Sequence, residues 1–196
     1  MSTDFIYQAK NVLSLDDCQN IIEIINNNLD DATVEHVVNA DGSLNRYFRS
    51  LNSDKFGAFN NKIENILNHH FKIYFNTYID YKMSNPPKLI VDNKNLTLEK
   101  IKYQKFSPPG HFDWHHEQGS SINSLGRFLV WMIYLNTIDN TGSTDFYYQE
   151  KSFQPLAGSL LMWPAGITHK HRGNPNLDTD KYMCTGWFNF SLLHKT

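Results

Sequence analysis

Five histidines stand in two tight groups within the segment from Tyr103 to Phe190: His111, His115 and His116, then His169 and His171. In the first group a carboxylate twice follows a histidine by two residues, as His111-Phe112-Asp113 and as His115-His116-Glu117. Two imidazoles and one carboxylate, with open positions left over, form the ligand set of non-haem Fe(II) oxygenases. Zinc with a bound water accepts the same atoms, so the ligands alone do not name the metal. Lys181 lies ten residues beyond His171. A cation there, on the strand that follows, can pair with the far carboxylate of a dicarboxylate co-substrate, and this favours iron oxygenase chemistry over zinc hydrolysis.

These residues must be carried by strands. Phe128 to Leu135 is a nearly continuous apolar run, as expected of a strand buried on both faces. Ser159–Trp163, Ile167–His171 and Lys181–Leu192 read as further strands, separated by Gly, Pro and Asn turns. Side chains alternate along a strand. His115 and Glu117 then share a face and His116 points away, and His169 and His171 share a face. In the last strand Lys181, Met183, Thr185, Trp187 and Asn189 line one side, which suits a cavity. Tyr182, Cys184, Phe188, Phe190 and Leu192 form a core-packing side. Tyr134 and Asn136 share a face with Phe128, Val130 and Met132.

The order of these motifs resembles the prolyl 4-hydroxylase-like branch of the Fe(II)/2-oxoglutarate dioxygenases. That family shows a Tyr before a Gly-containing turn and then His-x-Asp. A strand ending Tyr-Leu-Asn follows, then Gly-Gly-x-Thr-x-Phe, and a distal His with Pro four and Lys or Arg ten residues on. This chain has Tyr103, Pro109-Gly110, Tyr134-Leu135-Asn136, Thr141-Gly142-Ser143-Thr144-Asp145-Phe146, His171, Pro175, Lys181 and Trp187. Thr141 stands where the family has its first Gly, and the expected His-x-Asp is replaced by His115-x-Glu117. The resemblance implies metal ligands His115, Glu117 and His171. His111 and Asp113 remain a rival pair, and His169 a rival for the distal position or a group at the substrate mouth. It implies Tyr134 and Lys181 on the far carboxylate of 2-oxoglutarate, with Tyr103 and Trp187 along its cavity. It further implies an α+β fold with a double-stranded β-helix (jelly-roll, cupin-like) core. The reaction would use Fe(II), 2-oxoglutarate and O2, with ascorbate as an optional reductant, to hydroxylate a prolyl or other side chain of a protein, peptide or small molecule. A non-catalytic metal-binding jelly-roll module is the alternative, and a zinc hydrolase on a cupin-like barrel is a third reading.

The remainder reads as scaffold. The 196 residues, 40% hydrophobic and 14% aromatic, suffice for a single domain over 1–196, with 1–87 mainly helical support and 88–196 the jelly-roll core. Ser14 predicts a helix N-cap, with Asp16 and Asp17 in the first turn and Cys18, Ile21, Ile22, Ile25 and Leu29 at helical spacing. Lys55 to about Tyr78 predicts one long helix or two, ended by Asn85-Pro86-Pro87. Short strands are expected at Phe5–Val12 and Ala32–Val38. A net charge of -2 gives no electrostatic case for nucleic acid or an anionic membrane. Cys18 and Cys184 fit no disulfide framework or zinc-finger spacing. The opening residues lack the apolar run of a secretory signal, so a cytoplasmic location is expected. Oligomeric state leaves no mark on the sequence. Arg127 is expected in a salt bridge, His69, His70 and His116 as surface or packing histidines, and Trp114, Trp131 and Trp163 in packing.

Overall fold

In the computed structural model, residues 4–38, 41–78, 96–119 and 121–190 are described. The fold is organised by the apolar run, which forms strand β7 (Arg127–Tyr134). Its odd positions, Leu129, Trp131 and Ile133, enter one buried cluster; its even positions Val130, Met132 and Tyr134 enter another. The strand is thus covered on both faces, as its composition requires. The first cluster lies against helices α1 (Leu15–Asn27) and α2 (Gly57–Tyr78), and the second fills the interior of the strand framework.

Ahead of β7 come β1 (Tyr7–Ala9), β2 (Thr33–Val38), β3 (Leu44–Asn52), β4 (Leu96–Leu98), β5 (Lys102–Phe106) and β6 (Phe112–His115). After it come β8 (Thr144–Phe146), β9 (Lys151–Phe153), β10 (Leu160–Pro164), β11 (His171–Gly173) and β12 (Lys181–Phe190). They form one antiparallel ladder in the order β1-β10-β7-β12-β5-β3-β6-β11-β8-β9, with β2 on β3 and β4 on β12. Strand β3 joins the two limbs, pairing with β5 from Arg49 to Asn52 and with β6 at Arg46. The architecture is the expected double-stranded β-helix with supporting helices.

The helices form where their signals lie. Ser14 caps α1, its hydroxyl accepting from the Asp17 N–H at 3.1 Å, and Cys18, Ile21 and Ile25 are buried. Helix α2 runs unbroken for 22 residues and buries Ile63, Leu67, Phe71 and Tyr74. A buried aliphatic side chain contributes about 1.5–3 kcal/mol over an exposed one, so this stripe holds an Asn-rich helix of modest intrinsic propensity. The first part of the chain also supplies three strands, and β3, whose charged and Asn-rich sequence gave no strand signal, is central to the ladder. The Asn85-Pro86-Pro87 stop and Leu192 lie outside the described residues. The expected strand Ile167–His171 is instead a 3-10 turn over Ile167–His169 followed by β11, so alternation does not relate His169 to His171. Among the described residues no helix is long and apolar enough to cross a membrane.

Strand β12 mirrors β7. Lys181, Met183, Thr185 and Trp187 face a cavity, while Tyr182, Cys184 and Phe188 join the helix-side cluster. Gly186 lies on the helix side beneath Trp131, where a Cβ would stand 2.8 Å from the indole ring. Trp131 is fully buried and cannot move aside. Gly186→Ala is therefore expected to lower stability by about 1–3 kcal/mol in urea unfolding. A variant as stable as the parent would show that the ring can shift.

Candidate metal and co-substrate site

His115 ends β6 and His171 opens β11, and the two residues are paired directly across the strands. Their rings lie 4.3 Å apart between centroids. Glu117 follows just beyond β6, where the Glu117 and Gln118 N–H groups both donate to the Ala165 carbonyl at 3.1 Å. Strand alternation is thus not what brings Glu117 to His115; the Ala165 carbonyl turns the chain to the same effect. Glu117 Oε1 lies 3.2 Å from His115 Nε2 and 3.5 Å from His171 Nε2. The candidate ligand atoms of the three residues all lie within 4.8 Å of one another, and no other group of this kind occurs among the described residues.

Backbone carbonyls set both imidazoles. His115 Nδ1 is 2.6 Å from the Asp113 carbonyl, and His171 Nδ1 is 2.9 Å from the His169 carbonyl. A carbonyl only accepts, so each Nδ1 carries a hydrogen, and each Nε2 is turned towards Glu117. Burial pushes the His171 imidazole below its ordinary pKa, towards the neutral form. Burial alone would raise Glu117, but His115 and His171 outweigh it and hold the carboxyl well below the usual carboxylate range. Two imidazole nitrogens and a carboxylate oxygen therefore converge on one point, where protons or a metal ion must bridge them. A shared cation resolves that arrangement, and the donor set suits divalent iron.

The rivals are placed elsewhere. His111 forms a contact with the Pro109 carbonyl at 3.1 Å and lines the cavity rim, and Asp113 is exposed and accepts from the Trp114 N–H. Neither joins the cluster. The His169 ring is buried between Thr168 and the Asp4 carbonyl, so it secures the N-terminal segment and does not line a substrate mouth. Its carbonyl, not its ring, serves the site. His116, expected to point away, lines the cavity, because β6 ends at His115 and alternation stops there.

The cavity beside the cluster has a volume of about 400 Å³. Its wall includes Gln104, Val130, Met132, Trp163, Lys181, Met183 and Trp187. Lys181 is 3% exposed and donates to the Gly142 carbonyl at 2.6 Å. Burial lowers its pKa to about 8, with Asp145 opposing from a distance. The chain goes to some length to place it. The Asn136 side chain donates to the Asp180 carbonyl and accepts from the Tyr182 N–H, both at 2.8 Å, bracketing Lys181 on either side. Gly142 adopts φ +68°, its N–H bonds the Pro175 carbonyl, and its own carbonyl meets Lys181. Thr141 is not among the positive-φ positions, so a side chain costs nothing there.

Two expected co-substrate contacts need correction. Tyr103 does not face the cavity. Its register opposite Cys184 turns it to the helix side, where it stacks on Phe56 at 3.5 Å and donates to Asn60. Its neighbours Lys102, Gln104 and Phe106 line the cavity instead. Tyr134 is fully buried behind the wall and donates to Thr144 Oγ1 at 2.7 Å, and Thr144 is the residue that lines the cavity there. Burial raises the Tyr134 phenol, so it remains a donor. Trp187 lines the cavity as expected, with Arg127 stacked 3.6 Å above its ring. The sequence reading missed Asn136 as a clamp, Thr144 and Gln104. Alternation outward from Tyr103 would have found Gln104, but the clamp has no local signal.

Comparison with known proteins agrees with this geometry. Residues 101–189 match the family model of the 2OG-Fe(II) oxygenase superfamily, where 2OG denotes 2-oxoglutarate. No curated protein matches the chain. Among solved structures, the chain is similar to a viral collagen prolyl hydroxylase of Paramecium Bursaria Chlorella virus-1 in complex with 2OG (TM-score 0.67, 14% identity, covering 95% of this chain and 96% of that one). It is similar to a Pseudomonas putida prolyl-4-hydroxylase (0.66, 13%, 94% and 92%). A third likeness is to a Trichoplax adhaerens prolyl hydroxylase in complex with a hypoxia inducible factor oxygen degradation domain peptide fragment (0.66, 15%, 96% and 84%). Residues 101–189 thus match the 2OG-Fe(II) oxygenase superfamily, and the chain shares its fold with these prolyl hydroxylases.

Proposed function

We propose that this chain is an Fe(II)- and 2-oxoglutarate-dependent hydroxylase whose substrate is a side chain of a peptide or protein, proline being the first to test. The observation that carries the reading is the buried Lys181 on the wall of the cavity that also holds the His115–Glu117–His171 cluster. This ammonium meets one carbonyl and two aromatic rings, Tyr134 and Phe106, and forms no ion pair among the described residues, so its charge is incompletely compensated, and burying such a charge costs several kcal/mol. A carboxylate arriving beside it completes the pair. A zinc hydrolase would leave Lys181 without a task, and nothing in the comparisons favours a non-catalytic module. The peptide class is supported by the complex of the Trichoplax adhaerens prolyl hydroxylase with a peptide fragment. Cys18 and Cys184 are both free and buried, which fits a reducing, cytoplasmic compartment.

In this reading His115, Glu117 and His171 hold the iron, which supplies activation of O2 coupled to oxidative decarboxylation of 2-oxoglutarate to succinate and CO2. The protein provides placement and dryness. Lys181 receives the far carboxylate of 2-oxoglutarate, Asn136 and Gly142 hold Lys181, and Thr144, backed by Tyr134, offers a hydroxyl beside it. Val130, Met132, Trp163 and Met183 exclude water from the cavity. His111 and His116, at the rim, are where the substrate chain would pass.

Adding Fe(II) and then 2-oxoglutarate without oxygen should produce a visible charge-transfer band, and admitting O2 should then yield succinate. Bound iron with neither band nor succinate would overturn the enzyme reading. His115→Ala should lose iron binding by at least about tenfold, whereas His111→Ala should keep it; the reverse pattern would restore the upstream pair. Lys181 adds a pH signature. Its folded pKa, about 8, lies below the unfolded lysine value, so the unfolded chain holds more protons between the two. Ligand-free stability should therefore rise with pH above about 8, and Lys181→Met should stabilise the ligand-free protein at pH 7 by roughly 1–3 kcal/mol. Affinity for 2-oxoglutarate should do the opposite and fall above about pH 8, approaching about tenfold per pH unit in anaerobic titration. A flat profile would remove Lys181 from the co-substrate contact.

A further inference from the structure

The third candidate ligand is a glutamate, and its two oxygens have different partners. Oε1 faces the two histidine Nε2 atoms, while Oε2 lies 3.2 Å from Arg127 Nη1. The same Nη1 donates to the Glu117 carbonyl at 3.3 Å, and the Gln118 side chain donates back to the Arg127 carbonyl at 2.9 Å. Arg127 is itself held. Its Nε lies 3.4 Å from Glu99 Oε1, an atom that also accepts from Asn189 Nδ2, and its guanidinium carbon lies 3.6 Å from the centre of the Trp187 ring. The guanidinium therefore has little freedom at the start of β7.

Glutamate has one more methylene and one more torsion than aspartate, so an unrestrained Glu117 could swing both oxygens onto one ion. A carboxylate binding through both oxygens would occupy a position that co-substrate or O2 requires. We propose that Arg127 is a positioning residue that keeps Glu117 a one-oxygen ligand by holding Oε2 away from the metal. The inference rests on the metal reading above. It assigns the Arg127 ion pair a task at the site beyond stabilising the fold.

The test counts water on the metal, without 2-oxoglutarate or turnover. The parent protein, Arg127→Met and Arg127→Lys are loaded with Mn(II). Exchangeable waters are then read from the broadening of the Mn(II) paramagnetic resonance lines in water enriched in a magnetic oxygen isotope. Arg127→Met removes the donor and should bind Mn(II) with one water fewer than the parent. Arg127→Lys keeps a cationic donor and should retain the parent count. An unchanged count in Arg127→Met overturns the proposal. So does failure of both variants to fold, judged by ligand-free thermal unfolding, or loss of Mn(II) from a folded Arg127→Met, since Arg127 would then support the site as a whole. A parent protein that takes up no Mn(II) overturns the metal reading itself, and this inference with it.

Discussion

Two imidazole nitrogens and one carboxylate oxygen, all carrying lone pairs, converge within a few ångströms in a poorly solvated place. Protons or a metal ion must bridge these atoms, and much of the local structure holds them in place. Each ring is fixed by a backbone carbonyl, so the segments before His115 and His171 must themselves be fixed. That requires β6 and β11 to be neighbours in the register that sets His171 opposite His115. The register depends in turn on β8 and on the Asp145 carboxylate, which gathers Ser143, Arg172 and Asn174 on the outer side. The 3-10 turn before β11 is part of the same arrangement, because it presents the His169 carbonyl to the His171 ring.

Of the cations that line the cavity, Arg127 and Lys181 stand nearest the chemistry proposed for it, and the protein treats them differently. Arg127 is matched by two glutamates and an indole face, so its charge is compensated in the protein itself. Lys181 receives one carbonyl and the Tyr134 and Phe106 rings, 5.5 and 6.0 Å away, with Asp145 acting only from a distance, so its burial remains costly. Stability alone would favour compensating both. In the proposed function the uncompensated cation is the one that meets a co-substrate anion, and the compensated one shapes the site without binding the anion. Asn136 and Gly142 secure the costly lysine, since a buried ammonium free to move would turn towards water.

The hydrophobic architecture separates these tasks. Alternation along β7 and β12 sends one set of side chains to the helices and the other to the cavity. The helix-side cluster is close-packed to the point that Gly186 leaves room only for the Trp131 ring. The cavity side carries Met132, Met183 and Trp187, which give the space for a ligand an apolar wall. One strand pair thereby supplies both the stability of the domain and the walls of its site.

Local patterns in the sequence were sufficient for the double-buried strand β7, the two faces of β12, the capped helix α1 and the long helix α2, because each follows from side-chain periodicity or a short-range cap. Ordered spacings also separated His115, Glu117 and His171 from the surplus histidines, and picked out Lys181. What the sequence did not determine depends on contacts between distant segments. Tyr103 turned to the helix side because its register with Cys184 is set by strand pairing, which no spacing within β5 reports. Tyr134 keeps the face that alternation gives it but stands behind Thr144, a residue of another strand that no spacing within β7 reports. The central place of β3 was invisible because, beyond its hairpin partner β2, it pairs with β5 and β6, which lie fifty or more residues on. The clamp of Asn136 on the residues flanking Lys181 and the hold of Arg127 on Glu117 likewise arise only when the chain is folded. Residue type and spacing chose the chemistry; only tertiary pairing decided how each oxygen and nitrogen of the site is aimed.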